Sequence, residues 1–339
     1  MSVTVRDVAR EAGVSPITVS RAYSGTHPVA EETRNKIFKV AEEMGYAPDL
    51  LARALAQKQS PMLGVVVLEL ANPFFAPIID AIQAEARKNN YMVIVSQSER
   101  QESLEHDSLN QFRQLSVAGI LVSPVSSDLE YLSELSAKGT EVVVIARQWE
   151  QGNFVTVDDY LGGRIVGEHL TKLGHRQIGC VALDEPENTA LQARLRGFQD
   201  AIEEAGGALQ GECIILTETL RTDQGLYAAD AFLELPQRPT AVFVTADRLA
   251  IGFLHRLRQR GIRIPEDVAV VGYDDIRYSE FLEVPLTTVA LPKYEMGQKA
   301  TQILFDALKS ETNDDRPQQI LLEPKLIVRE SCGASLANG

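Results

Sequence analysis

Residues 3–25 read VTVRDVAREAGVSPITVSRAYSG, and this stretch decides the first domain of the chain. Its first half has apolar residues at i, i+3, i+4 and i+7 across Val5–Ala12, the spacing that gives a helix one apolar face. Thr4 is suited to cap the start of this helix, and Gly13 is suited to end it. The pattern therefore predicts a short helix followed by a tight turn.

A second helix is predicted directly after that turn. Ser15 is a good N-cap, and Pro16 takes the first helical position, where its missing N–H costs nothing. We expect this helix to run through about Tyr23. Its inward stripe is Val19, Ala22 and Tyr23, and its opposite, exposed face is Ile17, Thr18 and Arg21.

A third helix is predicted from about Glu31 to Met44, with Gly45 after it. Two short helices joined by a glycine-containing turn, with a third packed across them, form a helix-turn-helix unit. The second helix of such a unit enters the major groove of DNA. Periodicity alone leaves another interpretation open, a plain three-helix bundle with a solvated outer face.

Charge is distributed unevenly along the 339 residues. The whole chain has 33 Lys and Arg against 47 Asp and Glu, a formal net charge of −14. Residues 1–60 contain eight basic and seven acidic side chains, and the remainder contains 25 against 40. A neutral-to-basic head on an acidic body is the asymmetry expected of a nucleic-acid module on a separate domain.

Length and composition exclude several classes of protein. A chain of this length has room for two or three domains, and 45% hydrophobic with 24% charged residues is typical of a soluble globular protein. No run of 18 uncharged apolar residues occurs, and the charged N-terminus is unlike a signal peptide, so we expect a cytoplasmic protein. Cys180, Cys213 and Cys332 lack CxxC spacing, so neither a disulfide framework nor a zinc site is predicted.

The chain from Leu63 onward alternates apolar runs with helical stretches. Ten runs are rich in β-branched residues without polar alternation, which indicates strands covered on both faces. They are LGVVVLEL, YMVIVSQ, GILVSP, EVVVIA, FVTV, IGCVAL, CIIL, AVFVTA, VAVVGYD and TTVAL. The helical stretches between them predict an α/β fold with two doubly wound parallel sheets. Because ligands bind beyond the carboxyl ends of such strands, a cleft between the two halves is the expected site.

The first sixty residues also resemble a known family. The elements DVAREAGVSPITVSR, Thr33-Arg34, GYAPD and ARALAQKQS match the DNA-binding head and hinge of lac repressor family (LacI/GalR) regulators over a long stretch without gaps. The resemblance implies a helix-turn-helix head at 1–47 and a hinge helix with linker at 48–61. Two residues depart from the family pattern, since Ala30 replaces the usual capping Ser and Asp49 replaces the usual Asn.

The resemblance implies the DNA contacts as well. The expected base readers are Pro16, Ile17 and Arg21, and the expected phosphate contacts are Ser15, Thr18 and Ser24. Three further DNA contacts are expected, at Thr4, Thr33 and Ala52. Arg21 can make a bidentate contact with guanine, whereas Pro16 and Ile17 offer no hydrogen-bond donors. Leu55 matches the leucine that, in the family, inserts between the central base pairs, and a plain linker with one stray leucine is the alternative.

The body resembles the same family throughout and is similar in fold to periplasmic sugar-binding proteins. Its landmarks include NPFF at 72–75, VDD at 157–159, RLRGF at 194–198 and VGYDD at 271–275. By the family pattern, an effector-binding and dimerisation domain spans 62–332, before a tail at 333–339. Its first subdomain takes about 62–157 and 290–320, and its second takes about 158–289 and 321–332. The resemblance implies a homodimer on a pseudo-palindromic operator.

An effector site in the cleft follows from the same resemblance, residue by residue. Its members are Phe74, Phe75, Ser96, Arg147, Arg194, Leu220, Asp247 and Asp274. Aromatic faces suit C–H surfaces, and Asp and Arg suit hydroxyl groups, so a sugar or sugar derivative is the expected ligand. The alternatives are that Phe74 and Phe75 are plain core and that Asp247 is a helix N-cap.

One departure from the family bears on the ligand. Many members have an Asp before the Arg of a strand-end pair, but this chain has Ala146-Arg147. Together with Arg194 and Arg221, Arg147 favours an anionic ligand such as a sugar acid or sugar phosphate. The alternative is that Arg147 and Arg221 face solvent. Trp149 is expected near the rim of the cleft.

Two other classes of function are disfavoured. An enzyme would need a recognisable motif, and GxxxxGK[ST], HExxH and GxSxG are absent, so no catalytic residue, cofactor or metal ligand is predicted. A solute-binding protein of a transporter would need export and would have no helix-turn-helix head. We therefore expect a homodimeric transcriptional regulator, a repressor of carbohydrate uptake or catabolism, with operator DNA and a small effector as partners and no membrane contact.

Overall fold

The computed structural model describes residues 3–24, 28–46, 60–310 and 316–334. The head contains three helices, α1 (Val5–Ala12), α2 (Pro16–Ser24) and α3 (Glu31–Glu43). All three agree with the predicted helices to within about one residue. α1 ends at Gly13, whose φ of 67° is the left-handed conformation that glycine adopts without strain.

A small apolar core holds the three helices of the head together. Each side chain in it is at most 2% exposed. Its members are Val8, Ala9 and Ala12 from α1, Val19 and Ala22 from α2, and Ile37 and Ala41 from α3. Four of the seven are alanines, which lets the helix backbones approach closely and keeps the domain compact.

Twelve strands occur in the described part of the body. They are β1 (Ser60–Val67), β2 (Met92–Gln97), β3 (Val117–Val122), β4 (Glu141–Ile145), β5 (Asn153–Val157), β6 (Ile178–Leu183), β7 (Ile214–Thr217), β8 (Ala241–Val244), β9 (Ala269–Asp274), β10 (Thr287–Ala290), β11 (Gln319–Leu322) and β12 (Lys325–Ile327). The ten predicted strands are confirmed as β1 to β10. β11 and β12 were missed because they are short, partly exposed edge strands without a continuous apolar run.

Helices connect the strands. They are α4 (Phe75–Lys88), α5 (Glu102–Gln114), α6 (Glu130–Ala137), α7 (Asp159–Lys172), α8 (Thr189–Glu204), α9 (Thr222–Glu234), α10 (Asp247–Gln259) and α11 (Lys293–Lys309), with 3₁₀ turns at Gly211–Cys213 and Ser279–Phe281. The alternation of strand and helix confirms the predicted α/β class.

The strands form two six-stranded sheets. The first has the order β11-β5-β4-β3-β1-β2 and is parallel throughout, and the second has the order β12-β10-β9-β8-β6-β7. β12 runs antiparallel to β10, so the second sheet is not purely parallel as predicted. We call the first sheet with α4–α6 and α11 the first lobe, and the second sheet with α7–α10 the second lobe.

The chain passes between the lobes three times. It crosses after β5, returns between β10 and α11, and crosses again in the two residues between β11 and β12. Parallel strands within a lobe bring their carboxyl ends to one edge, and these edges of the two sheets face each other across a cleft. The domain limits drawn from the sequence stay predictions.

Candidate functional site

The N-terminal turn of α2 presents side chains outward from the head. Pro16 and Arg21 are exposed, and the Ile17 side chain is 63% exposed although it is apolar. Val19 and Ala22, on the other side of the same helix, are buried. The helix therefore shows an outward face that combines a cation with an apolar group, as predicted.

Two hydroxyl groups organise the start of this helix. The backbone N–H of Thr18 donates to Ser15 Oγ at 3.1 Å, and the two hydroxyl oxygens lie 2.8 Å apart, which confirms Ser15 as the N-cap. Thr18 is half-buried rather than exposed. In α1, the exposed Thr4 donates its hydroxyl and its backbone N–H to the Asp7 carboxylate, and these hydrogen bonds lower the pKa of Asp7.

The remaining predicted DNA contacts are placed only in part. Thr33 lies half-buried in the first turn of α3. The side chain of Ser24 and the residues Ala52 and Leu55 lie outside the described part of the chain.

A cavity of about 130 Å³ lies in the cleft between the lobes. Both lobes line it, with residues that follow the carboxyl ends of their strands. Six of the eight predicted effector residues are among the lining: Phe74, Phe75, Arg147, Arg194, Leu220 and Asp274. The rings of Phe74 and Phe75 meet edge to face with centroids 5.0 Å apart; Phe75 is buried and Phe74 half-buried. Both belong to the apolar core of the first lobe and to the cavity wall.

Arg194 is the centre of a buried network in the second lobe. Its Nε and Nη2 donate to Asp159 Oδ1 at 3.1 and 2.7 Å, and Nη1 donates to the carbonyl of Thr245 at 2.7 Å. The guanidinium carbon lies 3.5 Å from the centroid of the Tyr273 ring, and the Tyr273 hydroxyl donates to the same Asp159 oxygen. Burial lowers the pKa of Arg194, but Tyr273, Asp159 and Asp274 outweigh it and raise that pKa above its ordinary value. Arg194 thus lines the cavity and also holds the second lobe together.

Close packing of α7 on α8 brings Asp159 and Arg194 together. A Cβ at Gly163 would lie 1.8 Å from the Arg194 carbonyl oxygen, and one at Gly197 would lie 2.0 Å from the Tyr160 carbonyl oxygen. Real Cβ atoms do not approach so closely, so glycine is required at both positions. The contact of the two helix backbones therefore sets the geometry of the ion pair.

Asp274 lies at the end of β9 with an unusual backbone. Its φ is 114° and that of Asp275 is 48°, conformations that non-glycine residues rarely adopt. Lys293 holds this turn by donating to the backbone carbonyls of both residues. Among the described residues, none donates a hydrogen bond to the Asp274 carboxylate. Burial, with the nearby Asp247, raises the pKa of Asp274 from 3.8 to about 7.

Arg147 follows β4 and reaches the cavity from the first lobe. It is 8% exposed, and its Nη1 donates to the backbone carbonyls of Val125 and Ser126. Behind it, the Glu105 carboxylate accepts from the Tyr131 hydroxyl and from the Val125 N–H. Burial lowers the pKa of Arg147, against the opposing attraction of Glu185. Arg147 therefore does not face solvent, and its neighbour Ala146 has a φ of 60°.

Two of the predicted effector residues lie elsewhere. The Ser96 hydroxyl is paired with that of Ser108 at 2.7 Å, behind β2. Asp247 is fully buried and accepts from the Ile276 N–H, the Ser279 hydroxyl and the Thr288 hydroxyl at 2.9, 2.6 and 2.7 Å. Burial raises the pKa of Asp247 to about 6. It is neither a cavity residue nor a cap of its own helix, and it fixes the turn that follows β9.

Two further expectations about the cleft differ from the structure. Arg221 is exposed and forms a 3.5 Å ion pair with Asp223 outside the cavity. Trp149 is 3% exposed and packs in the core of the first lobe rather than at the rim. Its six-membered ring fills the space beside Gly152, where a Cβ would lie 2.1 Å from it.

The sequence reasoning missed several polar residues of the cavity. They include Arg100, Ser123, Thr156, Asp159, Asn188 and Thr245. The signal was available for half of them, because each of Ser123, Asp159 and Thr245 comes within two residues of the carboxyl end of a predicted strand. Arg100 and Asn188 stand in longer loops, where no local pattern marks them.

Ion pairs connect the lobes across the cleft. Arg100 of the first lobe bonds Glu185 of the second at 2.9 Å, and Glu69 of the first bonds Arg248 of the second at 2.9 Å. All four side chains are less than 30% exposed. We call these two contacts the cross-lobe ion pairs. They connect the two lobes, and Arg100 also lines the cavity.

Two kinds of feature are absent from the described ranges of the chain. Those ranges contain no group of three or more His, Cys, Asp or Glu side chains placed to hold a metal ion. Nor do they contain a helix long and apolar enough to cross a membrane.

The head and the body each match a family model, and a known protein matches nearly the whole chain. Residues 4–49 match the family model for bacterial regulatory proteins of the lacI family, and residues 168–332 match that for a periplasmic binding protein-like domain. The HTH-type transcriptional repressor PurR of Vibrio vulnificus (strain CMCP6) is 34% identical over 333 residues, which cover 97% of this chain and 98% of that protein.

Two solved structures extend the likeness to nearly the whole chain. The lac repressor dimer bound to operator and the anti-inducer ONPF superposes with a TM-score of 0.86 at 26% identity, covering 98% of this chain and 99% of that one. The complex of the transcriptional regulator CelR with cellobiose gives a TM-score of 0.73 at 29% identity, covering 97% and 99%.

Proposed function

The chain belongs to the lacI family of bacterial regulatory proteins, and from that premise we propose that it represses its target genes as a dimer on a pseudo-palindromic operator. It is a DNA-binding transcriptional regulator with an effector-binding body, and it is not an enzyme. One helix-turn-helix per chain reads one half-site, so two chains are needed for a full operator. The lac repressor structure, a dimer on its operator, supports this arrangement. Because its target is DNA, we propose the cytoplasm as its location.

In the proposed complex, α2 enters the major groove with its first turn. Arg21 is the residue whose donors suit guanine, and the exposed Ile17 suits a thymine methyl group. Ser15, Thr18 and Thr4 would orient the head on the phosphates. Leu55 and Ala52 are proposed to act in the minor groove, on the resemblance alone.

The proposed effector is a sugar or a sugar derivative bound in the cavity. The observation that carries this proposal is a cavity lined by polar side chains of both lobes around two aromatic rings. Such lining suits a ligand with hydroxyl groups on an apolar ring. CelR with cellobiose provides a related example of a sugar complex.

Effector control is proposed to act through the angle between the lobes. A ligand that contacts both lobes stabilises one angle over the others, and it shifts the equilibrium only by its difference in affinity for the two states. Coupling of about 1–3 kcal/mol is typical and suffices for a switch. Residues 48–61, between head and body, are proposed to carry this change to the DNA.

Fluorescence anisotropy with the DNA upstream of the chain's own gene tests the proposal. We expect two chains per pseudo-palindrome and an affinity that falls steeply with salt, because bound cations are released from the phosphates. Arg21→Ala is expected to lose about 1–3 kcal/mol of preference for the specific site. Arg10→Ala removes the same charge from α1, where Arg10 pairs with Asp7, and is expected to leave that preference unchanged. Equal binding to random DNA, or a complex of full affinity with one chain, would contradict the proposal.

A further inference from the structure

The charged groups of the cavity fall into two classes. Arg194 is paired with Asp159, and Arg100 is paired with Glu185, so both of these cations are neutralised by the protein. Arg147 and Asp274 also line the cavity, and neither forms an ion pair with a described residue. A buried charge is normally paired, because desolvation without a partner is costly. These two groups therefore mark where a ligand is needed.

Arg147 offers a defined binding edge. Its two hydrogen bonds both leave from Nη1 and both end on backbone carbonyls, so Nε and Nη2 have no partner in the described part of the chain. Neither nitrogen is among the sealed, unpartnered atoms of the interior. The Nε–Nη2 edge of a guanidinium matches the two oxygens of a carboxylate in a bidentate pair.

The second lobe presents a hydrogen-bond acceptor to the cavity, whereas Arg147 of the first lobe presents donors. The Asp274 carboxylate accepts no hydrogen bond from a described residue and is free to accept from a ligand hydroxyl. Thr245 also lines the cavity, but its hydroxyl is sealed in the interior and does not reach a ligand there. The Asp274 carboxylate is therefore the group of this lobe that suits a ligand hydroxyl.

We propose that the effector is a hydroxylated carboxylic acid of the sugar-acid type, with its carboxylate on Arg147 and a hydroxyl on Asp274. This inference rests on the proposed function and names the ligand class of the same cavity. A ligand of this kind joins the first lobe at Arg147 to the second lobe at Asp274, which is the contact that effector control requires.

The pattern of paired charges favours a carboxylate over its rivals. A phosphate ester brings up to two negative charges, but only one cation of the described cavity lining is left unpaired, and Asp274 repels a second charge. A neutral sugar leaves Arg147 without an ion pair, because Glu185, whose charge attracts it, is engaged by Arg100. An amino acid would bring its ammonium beside Arg194 and Lys293, whose positive charges already act on Asp274 and would repel a further cation.

Isothermal titration of the full-length protein with matched probes tests the inference. The probes are the neutral sugar, the sugar acid and the 6-phosphate of the glucose and galactose series (glucose, gluconate, glucuronate, glucose 6-phosphate and their galactose counterparts), with L-threonine as the amino acid. We expect at least one acid to bind ten or more times more tightly than its neutral counterpart, the phosphate and L-threonine. If no acid binds, or if a neutral sugar, phosphate or amino acid binds as tightly, the inference is overturned.

Variants of Arg147 separate recognition from structure. Arg147→Gln keeps a donor for the carbonyls of Val125 and Ser126, so we expect an unchanged unfolding midpoint and operator affinity without ligand. It should lose the preference for the acid over the neutral sugar, and Arg147→Lys should retain part of it. Arg221→Gln, the matched control, removes an exposed cation that pairs with Asp223 outside the cavity and should leave that preference intact. An acid preference that survives in Arg147→Gln would overturn the inference.

The operator assay distinguishes this inference from the proposed function. If a neutral sugar changes operator affinity, the proposed function stands and the ligand class is wrong. If a sugar acid binds through Arg147 without any change in operator affinity, the ligand class stands and effector control fails.

Discussion

The two lobes of the body have the same strand order but hold their charges differently. In the second lobe, Asp159 and Arg194 neutralise each other, and Asp247 accepts three hydrogen bonds deep in the interior. In the first lobe, Arg147 is held by backbone carbonyls alone. One strand order thus carries an arginine neutralised within the second lobe and an arginine without an ion pair in the first. The difference indicates that Arg194 serves the shape of its lobe, and it supports the proposal that Arg147 meets a ligand charge.

The largest effect is expected from breaking the network of the second lobe. Asp159→Ala leaves the Arg194 guanidinium buried without its counter-charge and removes the acceptor of the Tyr273 hydroxyl. Removing one partner of a buried pair costs about 3–5 kcal/mol. Urea unfolding should show this loss from the free energy of unfolding.

Asp223→Ala is the matched control for that variant. It removes the partner of Arg221 in the same lobe, but both side chains are 60% or more exposed. An exposed pair contributes at most about 1 kcal/mol, so little change is expected. Equal losses in the two variants would mean that the second lobe does not depend on its buried pair.

A change with pH sharpens the comparison at Asp274. Its pKa of about 7 lies above the ordinary 3.8, so between pH 4 and 7 the native state binds more protons than the unfolded state. The contribution of Asp274 to stability therefore falls as the pH rises through that range and is constant above it. Asp274→Asn cannot ionise, so its stability relative to the unsubstituted protein should rise from pH 4 to 7 and then level off. Thermal unfolding at a series of pH values measures this difference.

Asp275→Asn provides the control for the pH series. Its carboxylate bonds Arg329 at 2.8 Å, so substitution removes a favourable contact instead of an unpaired charge. We expect Asp275→Asn to be less stable than the unsubstituted protein, and its relative stability should not rise between pH 4 and 7. If the stability difference for Asp274→Asn does not change with pH, burial does not raise the pKa of the Asp274 carboxyl.

The smallest effect is expected on ligand affinity, from removing one of the cross-lobe ion pairs. Glu69→Gln removes the charge that Arg248 contacts across the cleft, while the cavity lining stays unchanged. A pair of this exposure is worth about 1 kcal/mol or less, so affinity for a ligand that closes the lobes should fall about fivefold at most. Titration calorimetry measures this affinity, with Glu134→Gln as the control, because Glu134 pairs with Lys138 at the C-terminal end of α6. An unchanged affinity in Glu69→Gln would mean that the cross-lobe ion pairs do not support closure.

The head shows how far local patterns reach. Its helices, its N-cap at Ser15 and its outward Ile17 and Arg21 were all predicted, because each depends on residues within four positions of one another. The central strands were predicted for a similar reason, since a strand covered on both faces must be apolar along its whole length. β2 and β7 were predicted from their apolar runs too, although they lie at sheet edges and are partly exposed. The edge strands β11 and β12 were missed because their partners, not their own composition, make them strands.

The cavity shows where local patterns stop. Six of the eight residues expected from the family resemblance line it, and the sequence offered no way to separate Asp247, which serves the interior, from Asp274, which lines the cavity. Both are aspartates near strand ends, and both were expected to meet the effector. Only the positions of Ser279 and Thr288, 32 and 41 residues further along the chain, make Asp247 a structural acceptor.

The sequence by itself determined the order of helices and strands, the α/β class, the helix-turn-helix head and the family, because these follow from short-range periodicity and from strings of matching residues. Only the tertiary structure decided which charges are neutralised. Arg194 meets Asp159 across 35 positions because two glycines let α7 and α8 touch, while Arg147 meets only backbone carbonyls. Desolvation and pairing depend on distances in space between residues far apart in sequence, and for that reason the same residue type is neutralised at one position and has no ion pair at another.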